Sequence, residues 1–479
     1  MNTLIKYSMF GLALAALAAC EDDKDYDIYQ KPSDAQFQLS TSSISFAGID
    51  VAAKQIDFTS LVHPTVTVDD DWCTLTLVDY TPRNQYSYLV QPTMTLDERS
   101  TTIHILVDGV EQGSLQVSQT PADPGFLGIG WNMGNQLDAS SNGVADETCW
   151  GNPACTAQTM QGVRAAGFET VRIPVTWVGH IGEAPDYTLE SAYLERVATV
   201  VGYAREAGLK AIINVMHDDG INSDGTSQTG CWINIKEAAE SDEANARMTA
   251  QIVAVWTQIA ERFKDFDSNL MFESFNEVQD GGWGYGANLT DDGRQYAVLN
   301  AWNQAVVNAI RATGGNNASR WIGVPGYAAS ISYTIDNLVV PADPAGKVAV
   351  AIHSYDPYNF CIQTATVDGG TDDWGSDSDK AAIDLLMQRL ATAYLSQGVT
   401  AYIGEFGCCK RADATKEPNR LAWLKYFSRT ARTYGLSLLL WDNAALGGGN
   451  ESHVYIDHGT GEVLDADAVQ AVMDGYNGK

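Results

Sequence analysis

Basic residues are scarce. Lys plus Arg total 29 against 60 Asp plus Glu, a formal net charge of −31. Such a surface repels phosphate backbones, so nucleic acid is excluded as a partner. Long apolar runs are missing too: the longest, Met9 to Ala19, has about eleven residues, short of the ~20 that span a bilayer. Cysteines never fall at C-x-x-C spacing, which argues against a structural zinc site. EF-hand spacing is absent as well, so Asp218-Asp219 and Asp372-Asp373 read as solvated loop acids rather than calcium ligands. Gly128-Ile129-Gly130 does not continue into a dinucleotide-binding turn. No cofactor and no metal are expected. What is present is a 45% apolar chain with 12 Trp, 21 Tyr and 13 Phe, enough for a packed core and for flat aromatic platforms in a cleft.

The N-terminus carries Lys6, then the short apolar run, then Leu17-Ala18-Ala19-Cys20. This resembles a lipobox, which implies a signal peptide over residues 1–19 and lipid attachment at Cys20. Residues 21–27 hold five acids against one Lys, like the tag of lipoproteins displayed outward on the outer membrane. The expectation is an acidic tether over 20–34 and a lipid-anchored chain at the outer membrane, facing outside. Seven cysteines remain, an odd number that leaves at least one free thiol. Cys149 with Cys155, or Cys231 or Cys361 with a neighbour, are the open pairings.

The mature chain divides in two. Residues 35–120 show alternating runs at 43–46, 65–68, 102–107 and 115–118 between Asp/Gly turns, the pattern of a small all-β sandwich. Residues 121–125, Pro-Ala-Asp-Pro-Gly, read as a linker. The N-terminal layout, with Asp71-Trp72 midway, resembles the BACON-type domain of gut-bacterial surface hydrolases. That resemblance implies either carbohydrate binding or a spacer. The spacer is favoured, because Trp72 lies in a strand-like run and reads as core.

From 126 to 479, strand signals at 129–134, 170–176, 210–216, 270–276, 320–325, 348–355, 400–405 and 437–442 alternate with helical patterns. Eight strands each followed by a helix is the count of an α/β (β/α)8 TIM barrel, whose active site lies at the C-terminal ends of the strands. Those ends carry Arg172, His217, Asn276-Glu277, His353, Tyr355, Glu405 and Trp441. Charged groups on apolar strands are costly unless paired or functional. Glu277 and Glu405, facing across one site, suit glycoside hydrolysis, where a protonated carboxyl donates to the leaving oxygen and an ionised one attacks the anomeric carbon. Glu273 shares the face of Glu277 but lies deeper, and reads as a structural acid paired with a buried donor.

Gly130 to Asp138, Glu147 to Pro153, Thr170 to Val175, Phe275-Asn276-Glu277, His353 to Tyr358, Ile403 to Gly407 and Trp441-Asp442-Asn443, in that order, resemble glycoside hydrolase family five. The first two segments are most similar to its endoglucanases that include xyloglucanases and mixed-linkage glucanases. The resemblance implies Glu277 as acid/base and Glu405 as nucleophile. It implies that Arg172 and Tyr355 hold Glu405, that His353 orients Glu277, and that Asn276 binds the sugar 2-hydroxyl. Trp441 would stack under the sugar and Asn135 would line the cleft. The family often shows paired histidines after strand 3; here the pair is Met216-His217, which leaves the role of His217 open. The expected function is retaining, endo-acting cleavage of plant β-1,4-glucan by a monomer. A β-mannanase or xylanase, or a non-catalytic glycan-binding lipoprotein, are the alternatives. Trp232, Trp283 and Trp374 are candidate sugar platforms on the loops that set cleft width.

Overall fold

The computed structural model describes residues 37–81, 84–123, 125–222 and 224–479. The signal peptide, the whole of the tether and Cys20 lie outside the described residues.

The N-terminal part is two four-stranded sheets packed face to face. One orders Gln38–Leu39, Lys54–Thr59, Gln85–Pro92 and Cys73–Thr81; the other orders Ser43–Ala47, Val110–Thr120, Arg99–Val107 and Thr65–Val68. Alternation drives the packing: in Lys54–Thr59 only Ile56 and Phe58 turn fully inward, meeting Ile103, Ile105, Leu115 and Val117 of the other sheet. Trp72 stands in the turn before Cys73–Thr81 rather than inside a strand. It packs at the edge of the sandwich core, and the Arg99 guanidinium lies 4.2 Å over its ring. That face is covered and offers no sugar platform.

The second part is a closed barrel of eight parallel strands. They are β1 (Ile129–Met133), β2 (Thr170–Ile173), β3 (Lys210–Asn214), β4 (Leu270–Glu273), β5 (Ile322–Ser330), β6 (Val348–Ser354), β7 (Thr400–Phe406) and β8 (Ser437–Asp442). Each is followed by a helix: α1 (Ala157–Ala165), α2 (Ser191–Glu206), α3 (Asp242–Phe263), α4 (Arg294–Ala312), α5 (Ile331–Asn337), α6 (Asp377–Ala393), α7 (Glu417–Thr433) and α8 (Ala466–Tyr476). Closure is made by β8 on β1, with Leu438 opposite Ile129. The strands are buried on both faces, which is why they read as continuous apolar runs. At the N-terminal end of the barrel, Leu127 plugs the floor against Ile212, Met271, Ala349, Tyr402 and Leu439. The segment 121–125 is tied to the barrel, because Arg432 Nη1 donates to the Ala122 carbonyl at 2.7 Å.

Three strands end earlier than their apolar pattern, β2 at Ile173 among them. β3 stops at Asn214 and β4 at Glu273, so His217 and Glu277 stand past the regular ladder rather than at its last rung. Side chains replace the lost ladder bonds: Val175 N donates to Asn214 Oδ1 at 3.0 Å. β5 instead runs longer than expected, with a register shift between Pro325 and Ser330.

Candidate active site

Arg172 is the centre of the site. It sits fully buried on β2, and its guanidinium uses all five of its donors. Nη1 donates to Glu405 Oε1 at 2.7 Å and to Asn132 Oδ1 at 2.9 Å. Nη2 donates to Asn276 Oδ1 at 2.7 Å and to Glu273 Oε1 at 2.6 Å, and Nε adds a 3.0 Å bond to Glu273. One cation thus spans strands 1, 2, 4 and 7. Glu273 is therefore a structural acid: it also accepts from Tyr402 Oη at 2.5 Å and from Asn214 Nδ2 at 3.0 Å. Burial would push the Glu273 carboxyl up, but Arg172 more than offsets this and holds it below the usual carboxylate range.

Glu405 lies at the end of β7, and Tyr355 Oη donates to its Oε2 at 2.8 Å. A register shift between β6 and β7 after Ile352–Ile403 sets His353 directly beside Glu405. His353 Nδ1 then lies 2.7 Å from Glu277 Oε1 and 3.6 Å from Glu405 Oε2. Burial alone would lower the His353 pKa; the Glu405 and Glu277 carboxylates outweigh it and raise it above the usual histidine value. One oxygen of each glutamate and the His353 nitrogen fall within 4.8 Å of one another. Among the described residues this is the one His/Cys/Asp/Glu trio close enough to grip an ion. Its donor set fits a metal poorly, because the buried Arg172 cation already occupies Glu405 Oε1.

An open cleft of about 1150 Å³ runs over this pair. Trp441, Asn135 and His217 border it, as do Glu277, Glu405, His353 and Tyr355. Gly134 makes room for Trp441: a Cβ there would lie 2.7 Å from the indole ring. Asn276 is buried beneath, its carbonyl oxygen committed to Arg172. His217 adopts a left-handed φ of 58°, 5.7 Å ring to ring from Trp150, with Nε2 3.6 Å from Asp138. Met216 also borders the cleft.

Of the three tryptophans named as platforms, only Trp283 is exposed, at 58%, and it borders the cleft. Trp374 is buried against Phe360 and Tyr426. Trp232 donates its Nε1 to Asp218 at 2.7 Å and packs on the core. Asp218 and Asp372 are not solvated loop acids. Asp218 is fully buried and accepts from the Trp177 backbone, and burial raises its pKa to about 8. Asp372 pairs with Arg411 at 3.1 Å. The seven described cysteines are free thiols, Cys149, Cys155, Cys231 and Cys361 among them. Sequence reasoning missed Tyr402 and Asn214, whose partner Glu273 becomes their neighbour only when the barrel closes. It also missed Tyr285, 85% exposed on the cleft rim, for which no motif was available.

Residues 136–447 match the family described as Cellulase (glycosyl hydrolase family 5). The cellulase/esterase CelE of Acetivibrio thermocellus is 38% identical over 72% of this chain, and the chain spans 39% of that protein. Endoglucanase A of Paenibacillus barcinonensis is 33% identical over 76% of this chain and 90% of its own length. Among solved structures, a GH5-4 broad specificity endoglucanase from Bacteroides salanitronis is 46% identical, with a TM-score of 0.67. The alignment covers 73% of this chain and 93% of that one.

Proposed function

Since the chain belongs to glycosyl hydrolase family 5, we propose that it is an endo-acting β-1,4-glucanase working by double displacement. The observation that carries this is the carboxylate pair, with oxygens of Glu277 and Glu405 within 4.8 Å. Retaining glycosidases hold their carboxyl groups ~5–5.5 Å apart, whereas inverting ones leave ~6.5–9.5 Å for a water. Glu405 attacks the anomeric carbon, forming a glycosyl–enzyme bond as the bond to the leaving oxygen breaks. Glu277 gives that oxygen its proton, then takes a proton from the water that releases the sugar.

The surroundings support distinct roles for the two acids. Arg172 and Tyr355 fix both oxygens of Glu405, which aims it. His353 orients Glu277. With its carbonyl held by Arg172, Asn276 keeps its amide N–H groups for the sugar 2-hydroxyl. Trp441 supplies an apolar face for the sugar at the cleavage point, and Asn135 and His217 supply polar groups along the wall. The cleft is open rather than enclosed and holds about 1150 Å³, room for more than one sugar unit, which supports a polymeric substrate. A broad specificity endoglucanase among its relatives supports β-glucans as the substrate class. The same reading places the chain, as a monomer, at the outer membrane through a lipid on Cys20, with the BACON-type sandwich as a spacer.

Release of reducing ends from a panel of purified polysaccharides tests the reading. Activity on carboxymethylcellulose, mixed-linkage glucan or xyloglucan with a rapid fall in viscosity is expected. Activity confined to mannan or xylan would move the substrate class, and none on any would leave a glycan-binding protein.

A further inference from the structure

We propose that Asp138 is a positioning residue: its buried carboxylate anchors the His217 ring through Nε2 at the cleft wall and leaves Nδ1 for a sugar hydroxyl. The inference rests on the glucanase reading and concerns an acid to which no role has been given above.

Asp138 lies in the loop after β1 and is wholly buried. Its Oδ1 accepts from Gln136 N at 2.8 Å, and its carbonyl accepts from Thr176 Oγ1 at 2.8 Å. Oδ2 is buried without a hydrogen-bond partner among the described residues. A buried carboxylate is costly unless a cation or donors offset it. Among the described residues no Lys or Arg pairs with Asp138; the basic group that does is His217, whose Nε2 stands 3.6 Å from Oδ2. That spacing is an ion pair's rather than a hydrogen bond's.

His217 is held so as to present its ring. Its carbonyl accepts from Cys231 Sγ at 3.1 Å and from Gly220 N at 3.3 Å, which fixes the backbone in its left-handed turn. Trp150, itself tied by Nε1 to the Ser140 carbonyl at 2.9 Å, flanks the ring. The His217 side chain is 40% exposed and borders the cleft, so a ligand reaches it. Unlike Asp138 Oδ2, Nδ1 is not sealed from solvent, and it bonds to no described residue. The charged groups that face the ring are Asp138, Asp219 on its own loop and Glu277 beyond β4. Loss of solvent works against the charged ring, but these carboxylates outweigh it and raise His217 above the usual histidine value. With Nε2–H turned to Asp138, Nδ1 accepts from a hydroxyl while the ring is neutral and donates to one while it is charged. A sugar hydroxyl suits either state, whereas the surrounding acids repel an anionic ligand.

The first test is the pH titration of the His217 ring by NMR, in the native chain and in Asp138→Asn, which keeps the shape and removes the charge. His217 should titrate above about 6.5 in the native chain and lower in the variant. An unmoved titration overturns the pairing. The second test is kinetic, on soluble mixed-linkage glucan. Asp138→Asn and His217→Phe should each raise KM about fivefold, the size of one hydrogen bond. The double variant should match His217→Phe alone. Losses that multiply to about 25-fold would mean that Asp138 does not act through His217, and would overturn the proposal. An unchanged KM in His217→Phe overturns it too. Should Asp138→Asn fail to fold, the His217 ring ¹⁵N resonances of the Glu405→Gln chain decide. Movement of Nδ1 on adding cellotetraose supports the assignment, and none overturns it. A parent inactive on every polysaccharide sinks the glucanase reading and the sugar contact with it, while the titration still decides whether Asp138 holds His217.

Discussion

His353 Nδ1 lies 2.7 Å from Glu277 Oε1, inside a barrel rim where the histidine is almost wholly buried. The contact gives stability a pH dependence of definite sign. Burial works against the charged ring, but the Glu405 and Glu277 carboxylates raise its pKa above the ordinary value of about 6.5. The folded state therefore holds this proton more tightly than the unfolded state. The resulting stabilisation is fully present below about pH 6.5 and is lost as pH rises through the raised folded value. The Tm gap between the native protein and His353→Gln should be widest near pH 5.5 and narrower at pH 9. A gap that widens with pH would reverse the assignment.

Glu273 makes the strongest case for a structural acid. It holds one side of Arg172, which holds Glu405 and Asn276 on the other. Glu273→Ala leaves a buried guanidinium without its main partner, a loss of about 3–5 kcal/mol by analogy with broken buried pairs. Activity should fall at least about a hundredfold even where the variant stays folded, since Arg172 is free to turn away from Glu405. A folded variant with native kcat/KM would show that Glu405 is aimed without it.

The barrel was legible because its strands are buried on both faces and its apolar runs are continuous, as in Val348–Ser354. The sandwich was half legible. Ser43–Ala47 and Thr65–Val68 alternate cleanly, but Lys54–Thr59 offers only two apolar residues, Ile56 and Phe58, preceded by Lys and Gln and separated by Asp. The site was legible where a chemistry-bearing residue ends an apolar run, as at Glu277 and Glu405. It was illegible where a role depends on closure: Tyr402 meets Glu273 across the barrel. Asp218 misled because Asp-Asp-Gly looks like a solvated turn; its carboxylate instead turns inward to the Trp177 backbone.

The sandwich should be dispensable for chemistry. Residues Leu127 onward complete the barrel floor, and Ala122 is the anchor point on Arg432. Removal of residues 21–118, which spares both, should leave kcat/KM on soluble glucan within about threefold, as expected of a domain with its own core. A loss beyond tenfold, with the barrel still folded, would show that the sandwich shapes the site.

Surface display through Cys20 has its own test. Cys20→Ser should move the protein from membrane to soluble fractions of the producing cell and abolish incorporation of labelled fatty acid. A variant that stays in the outer membrane as before would exclude lipid anchoring.

The two glutamates, placed so differently, should fail differently. Glu405 is clamped by Arg172 and Tyr355, whereas Glu277 is partly exposed to the cleft and touches His353. Glu405→Ala removes the nucleophile, so hydrolysis should fall by about 10⁴ or more, and added azide can enter the space and yield an α-glycosyl azide. Glu277→Ala removes the proton donor. Substrates with good leaving groups, which need little protonation, should still form the glycosyl–enzyme, and azide should then give the β-glycosyl azide. In the native enzyme, NMR of the first product should show the β-anomer, because two displacements restore the starting configuration. An initial α-anomer would mean that a water attacks directly and that Glu405 acts as a base. Equal loss in both variants on every substrate, without azide rescue, would remove the division of roles between Glu277 and Glu405.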